Sequence, residues 1–309
     1  AYTLYGGLRV SIFTDNIRMI VIGILLLISF IYINKTIGTD FSFSFVKKNN
    51  PQLLSSSYMP GYTAGLTFFI AVAATNLFHQ GNWQRIYAAK NFDTLRKSLI
   101  LSFLIIVPIV FLMGFTGLVA YSIDSTIRPD LGFFSLLLKE QTIILSLIII
   151  ILGLALTIST IDTLINAISS LIVVDGKATF KFKHKVNYLN FSKYIIIILS
   201  LISFFVASKG FDILYLFLLA DLFCCSFVLT VFYSFYNKKI NESTAYLSII
   251  IGLIGGFLLF PTPDFSKSLL VGILIPKELF ALFISQQLLF LSFVVATFLP
   301  FFILKAKKV

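Results

Sequence analysis

The sequence predicts an all-α, polytopic membrane protein with about eight transmembrane helices. Hydrophobic residues make up 58% of the chain and charged residues only 12%, whereas soluble domains carry about 25% charged residues. Several apolar runs are longer than the roughly 18 residues that mark a bilayer-spanning helix. Because a chain of this composition cannot build a water-facing surface, we expect its helices to lie in a membrane.

Eight apolar runs follow one another along the chain, and each predicts one span. The second run ends in polar residues at 76–81, which indicates a broken helix. The fourth is longer than the ~20 residues that cross the hydrocarbon core, so we expect it to tilt or to continue beyond the bilayer. No stretch is left for a soluble second domain, so we expect a single transmembrane domain over 1–309. The predicted spans are 17–33, 62–78, 98–121, 143–174, 194–207, 213–236, 246–260 and 279–304.

The basic residues are divided unequally between the two sides of the predicted membrane. Sixteen of the 24 Lys and Arg residues fall on the side of the N-terminal flank, and the others fall on the opposite side. An excess of Lys and Arg marks cytoplasmic loops, so we expect both ends in the cytoplasm. We also expect the protein to lie in the plasma membrane. The charges lie between apolar runs and form no single patch, which argues against a nucleic-acid partner. The sequence implies the lipid bilayer as a partner and no obligate protein partner.

Three carboxylates lie in or beside apolar runs, where an ionisable group is costly unless it faces a partner or water. Asp162 lies in the middle of the fourth span, Asp221 in the sixth, and Asp15 just before the first. For Asp15, a solvated flanking charge is as good an interpretation as a functional role. For Asp221, a structural hydrogen bond is as good an interpretation as a functional role. Because Cys224 and Cys225 are adjacent, their spacing suits neither a disulfide between them nor a metal cluster.

Hydroxyl groups surround Asp162 in the segment 157–163 (TISTIDT). On a helix, Ser159 and Asp162 share a face, and so do Thr160 and Thr163. Hydroxyl and carboxylate oxygens are hard ligands that suit a small cation such as Na⁺. The alternative is that the hydroxyls bond back to helix carbonyls, as they often do in membrane helices.

Three motifs resemble those of the sodium:solute symporter family, and they occur in that family's order. They are YGGLRVSIFTD at 5–15, NLFHQGNWQR at 76–85 and STID at 159–162, the last followed by Ser169, Ser170 and Asp175. The resemblance implies a LeuT-like fold of two inverted five-helix repeats, with binding at broken helices near the bilayer midplane. On that map the chain begins just before the fifth core helix, so we expect the first four core helices to be missing and 1–309 to be a partial transporter domain.

The resemblance also implies which residues bind ions and solute. The hydroxyls of Ser159 and Thr160 and the carbonyl of Leu156 match ligands of a conserved sodium site. Asp162, Thr163 and Asp15 match positions associated with a second sodium. Three residues fall where the broken sixth core helix meets the solute: Asn76, His79 and Gln80. A packing role or proton coupling remains open for His79, and the residues around it disfavour a sugar.

The predicted function is sodium-coupled symport of a small polar organic solute into the cell, with Na⁺ as the coupling ion and no enzymatic activity. One alternative is a proton-coupled symporter of the same fold that uses Asp162, Asp221 or His79. The other is a symporter-like sensor module. The substrate's identity, the oligomeric state and the stoichiometry are beyond the sequence.

Overall fold

The fold is helical throughout the residues that the structure, a computed structural model, describes: 3–128, 131–139, 142–180, 188–237, 240–263, 265, 267–271 and 282–306. Eight helices in these ranges are long and apolar enough to cross a membrane, which confirms the prediction of a polytopic α-helical membrane protein. The helices are α1 (Thr3–Ile37), α2 (Phe43–Asn49), α3 (Met59–Phe78), α4 (Gln80–Tyr87), α5 (Phe92–Ile123), α6 (Gly132–Leu137), α7 (Ile143–Phe180), α8 (Tyr188–Ala207), α9 (Ile213–Tyr236), α10 (Glu242–Leu259) and α11 (Leu282–Ala306).

The predicted spans match α1, α3, α5 and α7–α11, but several helices extend beyond the predicted ends. Helix α1 begins at Thr3 and not at residue 17, and α7 continues to Phe180. In α1 the largely polar residues 14–18 interrupt the apolar run, and in α7 the added residues 175–180 are mostly polar, so apolarity alone makes both predicted spans too short. The first three residues of the predicted eighth span, 279–281, lie outside the described residues.

The break predicted after the second span is present. Helix α3 ends at Phe78, His79 has an extended backbone (φ −71°, ψ 99°), and α4 begins at Gln80. The extended residue interrupts the ladder of helical hydrogen bonds, and its N–H donates to the Asn76 carbonyl.

One of two compact units comprises residues 1–56 and 80–204. Its buried apolar core joins side chains of α1, α2, α5, α6 and α7, among them Ile33, Val46, Val119, Leu137 and Leu152. Helix α1 packs along α7, and the short α4 also packs against α7. This packing brings three polar segments of the unit together.

The other unit comprises residues 57–79 and 205–309, and its helices α3, α9, α10 and α11 pack closely. Glycines of α10 face α11: a Cβ on Gly252 would lie 2.8 Å from Cδ of Pro300, and one on Gly256 would lie 2.9 Å from Cβ of Ala296. A Cβ on Gly255 would lie 2.9 Å from Cγ1 of Val295. Small residues let membrane helices approach closely and so gain van der Waals contact. We call this contact the glycine seam.

Candidate functional site

The polar residues of α1 and α7 face each other inside the first unit. Asp15 and Arg18 lie one turn apart on α1, and Ser159, Asp162 and Thr163 share a face of α7, as their spacing predicts. The contact between the two helices brings these five side chains together with Arg85 of α4. We call the six residues the polar cluster.

The Asp15 carboxylate is the centre of the polar cluster. Its Oδ2 accepts hydrogen bonds from Nη2 of Arg85 at 2.6 Å and from Oγ1 of Thr163 at 3.3 Å. Its Oδ1 accepts from Oγ of Ser159 at 2.7 Å and from Nη1 of Arg18 at 3.3 Å. Asp15 is therefore bound on all sides by donors, and the alternative of a solvated flanking charge is wrong.

Arg18 bridges the two carboxylates of the polar cluster. Its Nη1 lies 3.2 Å from Oδ2 of Asp162 as well as 3.3 Å from Oδ1 of Asp15. The Asp162 side chain is only 4% exposed and that of Arg18 is 17% exposed. Two guanidinium groups thus balance two carboxylates in a largely desolvated place, where an unpaired charge is costly.

Leu156 and Thr160, the other two predicted sodium ligands, lie one turn apart on α7. The Thr160 hydroxyl donates a 3.0 Å hydrogen bond to the Leu156 carbonyl. This back-bonding is the alternative that the sequence left open. The Thr160 hydroxyl keeps its own acceptor sites, whereas the Leu156 carbonyl, inside α7, also accepts the helical N–H of Thr160, so both of its acceptor sites are occupied.

The three predicted solute-binding residues lie at the break between α3 and α4. The Asn76 side chain donates a 2.8 Å hydrogen bond to the Val72 carbonyl in its own helix. His79 is the extended residue of the break. Gln80 begins α4 and, with residues of α4 and α7, lines a cavity of about 510 Å³.

The two arginines of the polar cluster were not predicted as site residues. Arg18 follows Asp15 by three positions on a helix, which is the spacing of an ion pair. Two acids within apolar surroundings also require partners, so both features together were a usable signal for Arg18. For Arg85 the signal was weaker, because its partner Asp15 is 70 residues away.

Asp221, the third carboxylate, belongs to the second unit. It is fully buried on α9, and its Oδ1 accepts a hydrogen bond from the Thr75 hydroxyl of α3. Among the described residues, no donor bonds to its Oδ2, and no Lys, Arg or His forms an ion pair with it. The interhelical hydrogen bond is thus real, but it satisfies only one of the two oxygens.

Comparisons with known proteins agree with the motifs. The model of the sodium:solute symporter family matches residues 1–252. A spermidine transporter of Candida albicans is 28% identical over 234 residues, which cover 75% of this chain and 43% of that protein. The chain thus spans less than half the length of this relative. No solved structure matches the chain. Because the family match covers most of its length, the chain belongs to the sodium:solute symporter family.

Proposed function

We propose that this protein is a sodium-coupled symporter that moves a small polar organic solute into the cell. The observation that carries the proposal is the polar cluster. Four residues predicted to serve an ion, Asp15, Ser159, Asp162 and Thr163, lie together at the contact of α1 and α7. No step of such transport requires covalent chemistry, so we propose no enzymatic activity.

We propose that the first coupling sodium binds the Leu156 carbonyl and the hydroxyl oxygens of Ser159 and Thr160. The donor set consists of neutral oxygens within one turn of a helix, which suits a hard monovalent cation. The Ser159 hydroxyl donates its proton to Asp15, and that of Thr160 donates to Leu156. Because each hydroxyl keeps its acceptor lone pairs, Na⁺ can bind both hydroxyl oxygens without breaking these hydrogen bonds. At the Leu156 carbonyl, Na⁺ has to displace the hydrogen bond from the Thr160 hydroxyl.

A second sodium at Asp15, Asp162 and Thr163 remains a prediction, and the position of Arg18 adds a condition to it. Arg18 already supplies positive charge to both carboxylates. A cation that binds there has to replace this guanidinium, since three positive charges beside two carboxylates would repel one another. We therefore propose that the second site fills only in a conformation in which Arg18 has moved away.

We propose the LeuT-like arrangement for the protein as a whole, with 1–309 as part of one transporter domain. In such a fold, sodium between the helix that corresponds to α7 and the first core helix would favour the outward-open form. Release of the ion into the cell would loosen that contact and open the inner path. The excess of Lys and Arg supports cytoplasmic ends, and uptake of a solute into the cell requires a location in the plasma membrane.

Small amines are the first solutes to test. The Candida relative is named as a spermidine transporter, and it shares the family and 28% of the aligned residues. We propose that Asn76, His79 and Gln80 contact the solute, because they lie at the break between α3 and α4, and solutes bind at broken helices in LeuT-like folds.

Uptake by proteoliposomes tests the function. The protein, expressed from its complete reading frame, should accumulate radiolabelled spermidine or another small amine when Na⁺ is higher outside. Choline in place of Na⁺ should abolish accumulation, and a pH gradient without Na⁺ should not restore it. Accumulation driven by the pH gradient alone would instead support the proton-coupled symporter.

A further inference from the structure

The three carboxylates buried within the spans differ in how their charge is compensated. Asp15 and Asp162 contact arginines in the polar cluster. Asp221 is the most deeply buried of the three, at 0% exposure, and none of the described residues offers it a positive charge. Among the described residues, arginine side chains thus compensate two of these acids and not the third.

The helices that carry Asp221 and Thr75 pack on each other through apolar side chains. Leu218 and Leu222 of α9 and Ala71 and Ala74 of α3 belong to the same buried cluster, and the Thr75 hydroxyl is the donor to Oδ1. An ionised carboxylate with one hydrogen bond in such a place is destabilised by several kcal/mol, as the cost of intramembrane charges shows. A positive ligand with several N–H donors would remove most of this cost.

The location of Asp221 indicates what kind of positive ligand could bind it. Its partner Thr75 directly precedes Asn76, and both lie in the last turn of α3, just before the break at His79. Asp221 is thus held beside the segment to which we assign solute contact. A negative charge at this position would attract a positively charged group of the solute.

We propose that Asp221 is the counter-ion for an ammonium group of the transported solute, with Thr75 orienting its carboxylate. The substrates are then organic cations such as aliphatic amines, and neutral or anionic solutes are rejected. This inference rests on the proposed symport function. The side chain is closed off in the structure described here, so the ligand reaches it in a conformation in which α3 and α9 separate.

The test compares Asp221→Asn with the wild type in the intact protein. Asparagine keeps the shape and an oxygen that accepts from Thr75, but it loses the charge. We expect the KM for spermidine to rise about tenfold or more, as the loss of a hydrogen bond to a charged group predicts. The Na⁺ concentration for half-maximal uptake should stay within about twofold. Glu242→Gln, which removes an exposed acid in the first turn of α10, is the matched control and should change neither value.

Thermal unfolding in detergent provides a second measurement that does not depend on transport. Spermidine should raise the melting temperature of the wild type and of Glu242→Gln, but not that of Asp221→Asn. Without spermidine, Asp221→Asn should be at least as stable as the wild type, because an unpaired buried charge has been removed. A clear loss of stability would show that Asp221 is structural and would overturn the inference.

The outcomes separate the inference from the proposed function. Sodium-driven uptake of neutral solutes, with spermidine neither carried nor bound, would refute the counter-ion role and leave symport standing. Spermidine stabilisation that depends on Asp221, without sodium-driven uptake of any solute, would refute symport and support the site. If Asp221→Asn leaves the KM for spermidine unchanged but removes a pH dependence of uptake, Asp221 carries a proton and the inference is wrong.

Discussion

Replacement of Arg18 by glutamine removes the guanidinium that Asp15 and Asp162 share. The Asp162 side chain is 4% exposed and Asp15 is 15% exposed, so water cannot take over the role of the arginine. Breaking a buried ion pair from one side costs about 3–5 kcal/mol. Asp15 keeps Arg85 and Ser159, and Asp162 is the more deeply buried of the two acids, so we expect most of the loss at Asp162. We expect the apparent free energy of unfolding to fall by about 3 kcal/mol, the lower end of that range.

Arg85→Gln is the matched control for this prediction. The Arg85 side chain is 47% exposed, and exposed ion pairs contribute about 0–1 kcal/mol. The free energy of unfolding should therefore fall by no more than about 1 kcal/mol in this variant. Both variants also remove one positive charge from the same cluster, so a difference between them reports burial and not net charge.

Unfolding in detergent micelles, once in sodium chloride and once in N-methylglucamine chloride, provides the measurement. Arg18→Gln should regain part of its lost stability in sodium, because Na⁺ can then bind the two carboxylates. The wild type should show a smaller difference between the two salts. Equal losses in the two variants would refute the argument from burial. A loss in Arg18→Gln that is identical in both salts would refute competition between Arg18 and a second sodium.

Three further predictions concern the ion site, the helix packing and the topology. Thr160→Ala should weaken the apparent sodium affinity tens-fold, about 2–3 kcal/mol for a lost contact to a charge. Thr160→Ser keeps the oxygen and should change this affinity little. Uptake measured against Na⁺ concentration gives the affinity of both variants. Gly256→Ala should cost about 1–3 kcal/mol of unfolding free energy through overpacking against α11, whereas Gly65→Ala, whose Cβ would meet nothing within 4 Å, should be neutral. In intact cells, an impermeant maleimide should label Lys47→Cys and not Lys97→Cys; the reverse would invert the proposed orientation.

The sequence predicted the helical class and the spans well, because long apolar runs are a direct consequence of the membrane as a solvent. It also placed Ser159 and Asp162 on one helix face, since residues three apart share a face wherever the helix lies. It paired Thr163 with Thr160, whereas Thr163 bonds Asp15 together with Ser159. The contact of these residues with Asp15 came from the family's motifs and not from spacing. Local periodicity carries no information about which distant helix a face meets.

One contact of the site and one helix contact outside it escaped prediction for different physical reasons. The pairing of Arg85 with Asp15 depends on how α4 packs on α7, and that packing follows the break at His79. The sequence shows Gly252 and Gly256 as a pair four residues apart, but it does not show what they contact. Their meaning depended on α11, whose Pro300 and Ala296 lie opposite them, and a glycine pair alone does not reveal its partner.

The glycine seam has a mechanical consequence for experiments on this protein. Lipid offers no hydrophobic force to hold two helices together, so α10 and α11 depend on complementary shape. A shift of one helix along the other would push backbone against Pro300 or Ala296, so we expect the pair to resist sliding and to move as one rigid body. Spin labels placed on α10 and α11 should then keep one separation whether sodium and solute are present or absent. The pair provides a fixed reference against which the displacement of other helices can be measured.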